Sequence, residues 1–328
     1  MTVTALHIET PLLLHRQLSA ALGKQVWLKM DNLQPSGSFK LRGIGLLCQR
    51  AVAAGATHLV CPSGGNAGFA AAVAGVALGV RTTIVVPLTT AASVHAAIRG
   101  IGAELIVHGA VWDEAHAEAL RWCAAPDAFY ISPFDHPDIW DGNATLIDEA
   151  VRQARAMGTT FDAVVCSVGG GGLLCGVLEG LHRNDLAHVP VLAIETAGAA
   201  SYAAAVAARA LVTVPAITSV ATSLGARRVA QAAFDWRLRH DVRSVVVSDA
   251  QAGDACLRFA DDVRTLVEPA CGAALAVGYQ DLPEMRPFAH PLFIVCGGIG
   301  VDLATLGALQ KRFGPDGMSA AQAAAVPG

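Results

Sequence analysis

Lys40 stands where a lysine is costly. The stretch at 34–43, QPSGSFKLRG, uses a turn-forming Pro-Ser-Gly to deliver Lys40 into the first turn of a helix predicted over 39–54. Ser38 is the expected N-cap, its hydroxyl accepting a hydrogen bond from a first-turn amide. A helix start carries partial positive charge. Arg42 adds a formal charge nearby, and both are expected to disfavour the ammonium form and lower the Lys40 pKa. A neutral amine is the form of lysine that makes a Schiff base. A lysine taken alone reads most simply as a solvated surface group. Two glycine-rich loops and a late cysteine set this one apart.

The first loop, CPSGGNAG at 61–68, opens a predicted helix. Clustered amides at a helix start, with the Ser63 hydroxyl and the Asn66 amide, suit a small carboxylate, although a tight strand-to-helix turn needs glycine in any case. The second runs Ser167, Val168, Gly169, Gly170, Gly171, Gly172, Leu173. Four consecutive glycines cost chain entropy with no packing return visible in the sequence, so they point to backbone amides approaching a phosphate. The GxGxxG spacing of a dinucleotide site fails, because residue 174 is leucine. The third loop follows an apolar strand with Cys296, Gly297 and Gly298; by itself it reads as a core cysteine.

These residues need a scaffold that brings positions 40, 66, 169 and 296 together. The chain alternates short β-branched runs with helical stretches, the pattern of parallel sheets with crossover helices. Strands are predicted at 25–30, 57–61, 82–86, 104–108 and 129–131. Helices fall between them at 67–78, 91–101 and 111–123, forming a block of about four βα units over 41–135. A Pro-rich crossing at 132–137 leads to a long helix over 139–157. The alternation then resumes with strands at 163–167, 189–195, 244–248 and 292–295, and helices at 173–182, 201–210, 250–260, 269–279 and 301–312. In such open sheets, ligands bind at the carboxyl ends of the strands, and all three loops lie there. Glu268, just before Pro269, reads as a helix-start acid that suits the dipole. His58, His95, His108 and His116 read as satisfied structural histidines.

Composition narrows the classes. The 328 residues are 53% hydrophobic and 15% charged, which gives a globular chain with ample core. A net charge of −4 offers no case for nucleic acid or an acidic membrane surface. The eight cysteines never form CxxC and mostly sit in apolar runs, so they read as reduced thiols of a cytoplasmic protein and not as a zinc site. The N-terminus lacks the charged and apolar regions of a signal peptide. Residues 59–80 carry no charge and are long enough for a membrane span. Pro62, Asn66 and five glycines there favour a strand, a loop and a helix instead.

Lys40, the loop at 63–68, the glycines at 169–172 and Cys296 form a constellation that resembles the fold type II pyridoxal-phosphate enzymes. Within them it is similar to the serine dehydratase (serine/threonine ammonia-lyase) branch. The resemblance runs from about residue 10 to residue 312. It is most specific over LKMDNLQPSGSFKLRGIG at 28–45, SVGGGGLLCGV at 167–177, VEPACGAA at 267–274 and IVCGG at 294–298. It implies an α/β fold like that of the tryptophan synthase β chain, with two domains, each an open and mostly parallel sheet flanked by helices. The large, cofactor-binding domain would take 1–40 and 136–315, the small domain 41–135, with a disordered tail at 316–328.

The same resemblance implies residue roles. Lys40 would hold pyridoxal 5'-phosphate as a Schiff base and later act as general base, with Phe39 and Ser223 on the two ring faces. Asn66 would meet the phenolic oxygen, and Cys296 would sit at the pyridine nitrogen. Gly169, Gly170, Gly171, Gly172 and Leu173 would grip the phosphate. Ser63, Gly64, Gly65, Asn66 and Ala67 would take the substrate carboxylate. A monovalent cation, commonly potassium, would lie among Gly169, Glu195, Ala199, Ser201, Leu224 and Ala226; oxygen ligands suit a hard cation. The expected reaction is α,β-elimination of L-serine to pyruvate and ammonia, and of L-threonine to 2-oxobutyrate, by a homodimer. A thiol at 296 is a weak partner for a pyridine nitrogen, which favours elimination over transamination. Gly64 lacks the hydroxyl that serine racemases of this fold place there, so little racemisation is expected. Pro62 and Ser223 depart from the usual serine and alanine. The alternatives are a threonine-preferring dehydratase and a catalytically silent cofactor-binding homologue.

Overall fold

The structure is a computed structural model that describes residues 4–313; the expected tail at 316–328 lies outside them. In chain order the elements begin with β1 (Leu12–Leu14), α1 (Arg16–Leu22), β2 (Trp27–Lys29), α2 (Lys40–Ala53), β3 (His58–Cys61) and α3 (Asn66–Leu78). Next come β4 (Arg81–Val86), α4 (Ala92–Ile101), β5 (Glu104–Val107), α5 (Trp112–Trp122), β6 (Ala128–Tyr130) and α6 (Pro137–Ala156). Then follow β7 (Ala163–Ser167), α7 (Gly172–Arg183), β8 (Val191–Thr196), α8 (Ser201–Ala208) and α9 (Gln231–Asp235). The last are β9 (Val242–Val247), α10 (Asp249–Val263), α11 (Pro269–Tyr279), β10 (Pro291–Ile294) and α12 (Leu303–Phe313).

Two sheets result, as the alternation predicts. The larger has the order β1-β2-β10-β7-β8-β9 and the smaller β5-β4-β3-β6. Every pairing is parallel except the edge pair β1–β2. β7 and β8 are buried along their whole length, which is why they read as near-continuous apolar runs. The uncharged stretch at 59–80 divides into β3, a loop and α3, and among the described residues no helix is long and apolar enough to cross a membrane. His58 and His116 hydrogen-bond to Thr83 and Tyr130, whereas Nε2 of His95 is buried without a partner among the described residues.

The strand order explains how distant residues meet. β2, β10 and β7 are neighbours, with Phe293 paired to Leu28 on one side and to Val165 on the other. The chain leaving these three strands leads to Lys40, Cys296 and the glycine run, so three separate sequence regions converge at the carboxyl ends of adjacent strands. α2 is fixed from below by a buried ionic cluster. Arg42 reaches Asp31 through Nε and Nη2, at 2.6 and 2.9 Å, and Glu149 on α6 through both Nη atoms at 2.8 Å. Lys29 on β2 adds a 2.7 Å bond to the same Glu149 carboxyl.

Candidate active site

A cleft opens at the carboxyl ends of β2, β10 and β7, holding about 460 Å³ of atom-free space including the solvent at its mouth. Its wall contains Phe39, Lys40, Asn66, Gly169, Gly170, Gly171, Gly172, Leu173, Ser223 and Cys296, all named from the sequence. Ser63, Gly64, Gly65 and Ala67 do not line it; Ser63 Oγ instead accepts from the Gly65 amide at 3.3 Å. Leu224 lines the cleft, while Glu195, Ala199, Ser201 and Ala226 do not.

Lys40 is the first residue of α2, and its Nζ donates to the Pro133 carbonyl at 2.5 Å. Its pKa is lowered to about 8, in the expected direction but for a different reason. Burial is the largest cause, partly offset by Cys61, Cys296 and Glu268. Arg42 is turned away into the Asp31 and Glu149 cluster and takes no part. Nor is Ser38 the cap: Phe39 holds that position with no side-chain cap bond, and Ser38 Oγ is buried without a partner among the described residues. The backbone locks this turn differently, with the Phe39 amide donating to the Cys296 carbonyl at 3.0 Å and the Gly298 amide to Gly37 at 2.9 Å.

The glycine run has a packing reason that the sequence did not display. A Cβ on Gly170 would lie 2.3 Å from the Phe134 ring, and one on Gly172 would lie 2.7 Å from the Phe134 carbonyl. Phe134, from the Pro-rich crossing and itself part of the cleft wall, therefore packs tightly against the loop. Gly171, at φ 95°, is the N-cap of α7 and has no side chain to occupy the first-turn amides. Those amides remain available to an anion in the cleft.

Cys296 is buried, and its contact with Cys271, followed by burial, pushes the thiol pKa well up. Asn66 opens α3 and faces the cleft, with Oδ1 accepting from the Ile299 amide at 2.8 Å. Its Nδ2 donates to Glu268 at 2.8 Å and to Ser223 Oγ at 3.4 Å. Glu268 is thus a cleft residue and not a dipole acid, for it makes no cap bond to its own helix. Its local signal, an acid before a helix-opening proline, is shared by many ordinary helices, although it lies within the VEPACGAA stretch of the resemblance.

Away from the cleft, both Glu195 oxygens accept backbone amides of α8, from Tyr202 at 2.8 Å and Ala203 at 2.7 Å. Burial pushes the Glu195 carboxyl up to about 7 against those two hydrogen bonds. The neighbouring Ser201 Oγ is buried without a partner among the described residues.

The family described as "Pyridoxal-phosphate dependent enzyme" matches residues 3–297. A Homo sapiens protein named "Serine dehydratase-like" is 46% identical over 316 residues, covering 94% of this chain and 95% of its own. The Mus musculus "L-serine dehydratase/L-threonine deaminase" is 45% identical over 324 residues, covering 96% and 98%. Among solved structures, a fungal L-serine ammonia-lyase from Rhizomucor miehei superposes with a TM-score of 0.89 at 38% identity, covering 94% of this chain and 100% of its own. The chain belongs to the pyridoxal-phosphate-dependent enzymes and has their fold type II architecture.

Proposed function

We propose that this protein is a pyridoxal-phosphate-dependent L-serine dehydratase that also accepts L-threonine. The observation that carries the reading is the convergence of a buried amine at Lys40, a glycine-rich helix start at 169–172 and a neutral thiol at Cys296 around one cleft. The fit to the cofactor is chemical: free first-turn amides of α7 for a phosphate and a lysine of lowered pKa for an aldehyde. Bound there, pyridoxal phosphate supplies an aldehyde for the substrate amine and a ring that acidifies the Cα–H bond.

The protein's own groups do the rest. Lys40 would hold the cofactor, and its amine, once released, would take the α-proton, its basicity trimmed by burial toward working pH. The Pro133 carbonyl would aim that amine. Phe39 and Ser223 would bracket the ring, Asn66 would face its phenolic oxygen, and Cys296 would sit at its nitrogen. Because the thiol stays neutral, it places no anion there to hold a proton on the nitrogen. That disfavours a long-lived carbanion and with it transamination. Gly169, Gly170, Gly171, Gly172 and Leu173 would hold the phosphate, and 63–67 the substrate carboxylate at the start of α3. L-Serine loses its α-proton and its hydroxyl as water, and the released enamine tautomerises and hydrolyses to pyruvate and ammonia.

Potassium, a homodimer, a cytoplasmic location and the division into a large domain (1–40 and 136–315) and a small one (41–135) belong to the same proposal. For the cation, Glu195 is buried with no salt bridge among the described residues, and Ser201 beside it has an unpartnered oxygen. With carbonyls of Gly169, Ala199, Leu224 and Ala226 these make an all-oxygen set. A threonine-preferring enzyme is the second reading; the mouse relative is named for both substrates.

The test is 2-oxo acid release from L-serine and L-threonine by purified protein supplied with pyridoxal phosphate, with Lys40→Ala as control. Product from the wild type and none from the variant is expected. A wild type that binds the cofactor yet releases no product from either amino acid is a silent homologue, and the assignment fails.

A further inference from the structure

Glu268 is the one carboxylate in the cleft wall among the described residues, and the reaction proposed above gives it no task. It is 3% exposed and sits at the N-cap of α11, yet its side chain makes no bond to the amides of that helix. Oε1 accepts from Asn66 Nδ2 at 2.8 Å and Oε2 from the Gly300 amide at 3.0 Å. The Ile299 amide donates in turn to Asn66 Oδ1 at 2.8 Å. Asn66, Glu268, Gly300 and Ile299 therefore close a ring of hydrogen bonds. The loop is built around the carboxyl: a Cβ on Gly298 would lie 1.9 Å from Glu268 Cδ.

The ring joins parts of the fold that no strand connects. Asn66 starts the helix after β3 of the four-stranded sheet, whereas Glu268 and the 297–300 loop belong with β10 of the six-stranded sheet. Chemistry also fixes its direction. An ionised carboxylate only accepts, so it takes the Asn66 amino group, while the Ile299 amide, which only donates, takes the Asn66 oxygen. The carboxamide cannot flip without putting like groups face to face at both ends. The second N–H of Asn66 is directed at Ser223 Oγ, 3.4 Å away in the cleft wall.

We propose that Glu268 is a positioning residue that sets the orientation of Asn66 toward the cofactor ring and clasps the four-stranded unit and the 299–300 loop over the cleft. This rests on the cofactor reading above. Glutamine at 268 keeps the size but offers one acceptor, so either Asn66 or Gly300 loses its partner. Burial raises the Glu268 pKa, while donors from Ser223, Gly300 and Asn66 and the Lys40 charge pull the other way.

The experiment uses the holoenzyme, Glu268→Gln, Asn66→Ala and the double variant. It reads the visible absorption and circular dichroism of the bound cofactor, its rate of release, and kcat and KM for L-serine. Gly298→Ala, which crowds the carboxyl without discharging it, is the second route should Glu268→Gln fold poorly. Expected is a shifted cofactor band, release faster by about tenfold, the scale of one charge-assisted hydrogen bond, and kcat reduced more than KM is raised. In the Asn66→Ala background the further change from Glu268→Gln should vanish. An unchanged band and release rate in Glu268→Gln, or in Gly298→Ala where it stands in, overturns the proposal; so do additive effects in the double variant. A wild type that shows no cofactor band refutes the cofactor reading itself, which keeps the two failures apart.

Discussion

Arg42 and Glu149 face each other as a two-pronged pair, Nη1 to Oε1 and Nη2 to Oε2, both at 2.8 Å and both buried. This contact pins the helix that begins with Lys40 to the long α6. Removing one partner of such a pair strands a charge in a dry interior. Arg42→Met should therefore cost about 3–5 kcal/mol of stability, read by urea unfolding of the holoenzyme. A loss below about 1 kcal/mol, the range of an exposed pair, would show that the cluster does not hold the helix.

The Lys40 pKa, lowered to about 8 from 10.5, makes a prediction about pH. In cofactor-free protein, the rate of reaction with pyridoxal phosphate should rise about tenfold per pH unit below that value and level off above it. A rate still climbing through pH 10 contradicts the burial argument. The linkage has a definite sign. Between pH 8 and 10.5 the unfolded chain binds a proton that the folded chain has lost, so this group makes the cofactor-free protein more stable as pH rises through that window.

Trp112, half-exposed on α5, donates from its indole to the Pro62 carbonyl at 2.7 Å, and its ring stacks on His116 with centroids 4.8 Å apart. It anchors the loop proposed to hold the substrate carboxylate and does not itself line the cleft. Trp112→Phe should raise KM for L-serine about fivefold, in line with one net hydrogen bond of about 1 kcal/mol. The cofactor band and kcat should stay put, and a matching fall in kcat would argue for a wider disturbance.

Gly64 has no hydroxyl of its own to offer, and its surroundings are tight. A Cβ there would lie 3.0 Å from Thr90 Cγ2 and 3.1 Å from Val86 Cγ1. The wild type should release pyruvate from L-serine with negligible D-serine; chiral chromatography that finds D-serine forming as fast as pyruvate refutes this.

Much of the scaffold was legible because buried parallel strands announce themselves as apolar runs. The β7 bounds coincide with the predicted 163–167, and β4 differs from 82–86 by one residue. β1 and α1 were not seen. Three leucines carry no alternation, and α1 is capped by His15, whose ring accepts from the Leu18 amide, outside the usual Ser, Thr, Asp and Asn signal. At the site, Lys40 and the glycine run, both in the cleft wall, stand out locally as residue types at costly positions. Phe134 and Glu268 do not, for each acquires its task only through residues more than thirty positions away. Arg42 shows the converse error: proximity along the chain suggested a repulsion that the folded ion cluster removes.

The strand order carries one more consequence, for how the protein is made. β10, at Pro291–Ile294, lies between β2 and β7, although both are synthesised long before it. Until that late strand is made, β2 and β7 lack the neighbour that joins them, and with it the sheet that brings the lysine and the glycine run together. Cofactor capture should therefore wait for residues 291–294, and a chain cut short before residue 291 should be unable to take up the vitamin, whatever remains intact upstream.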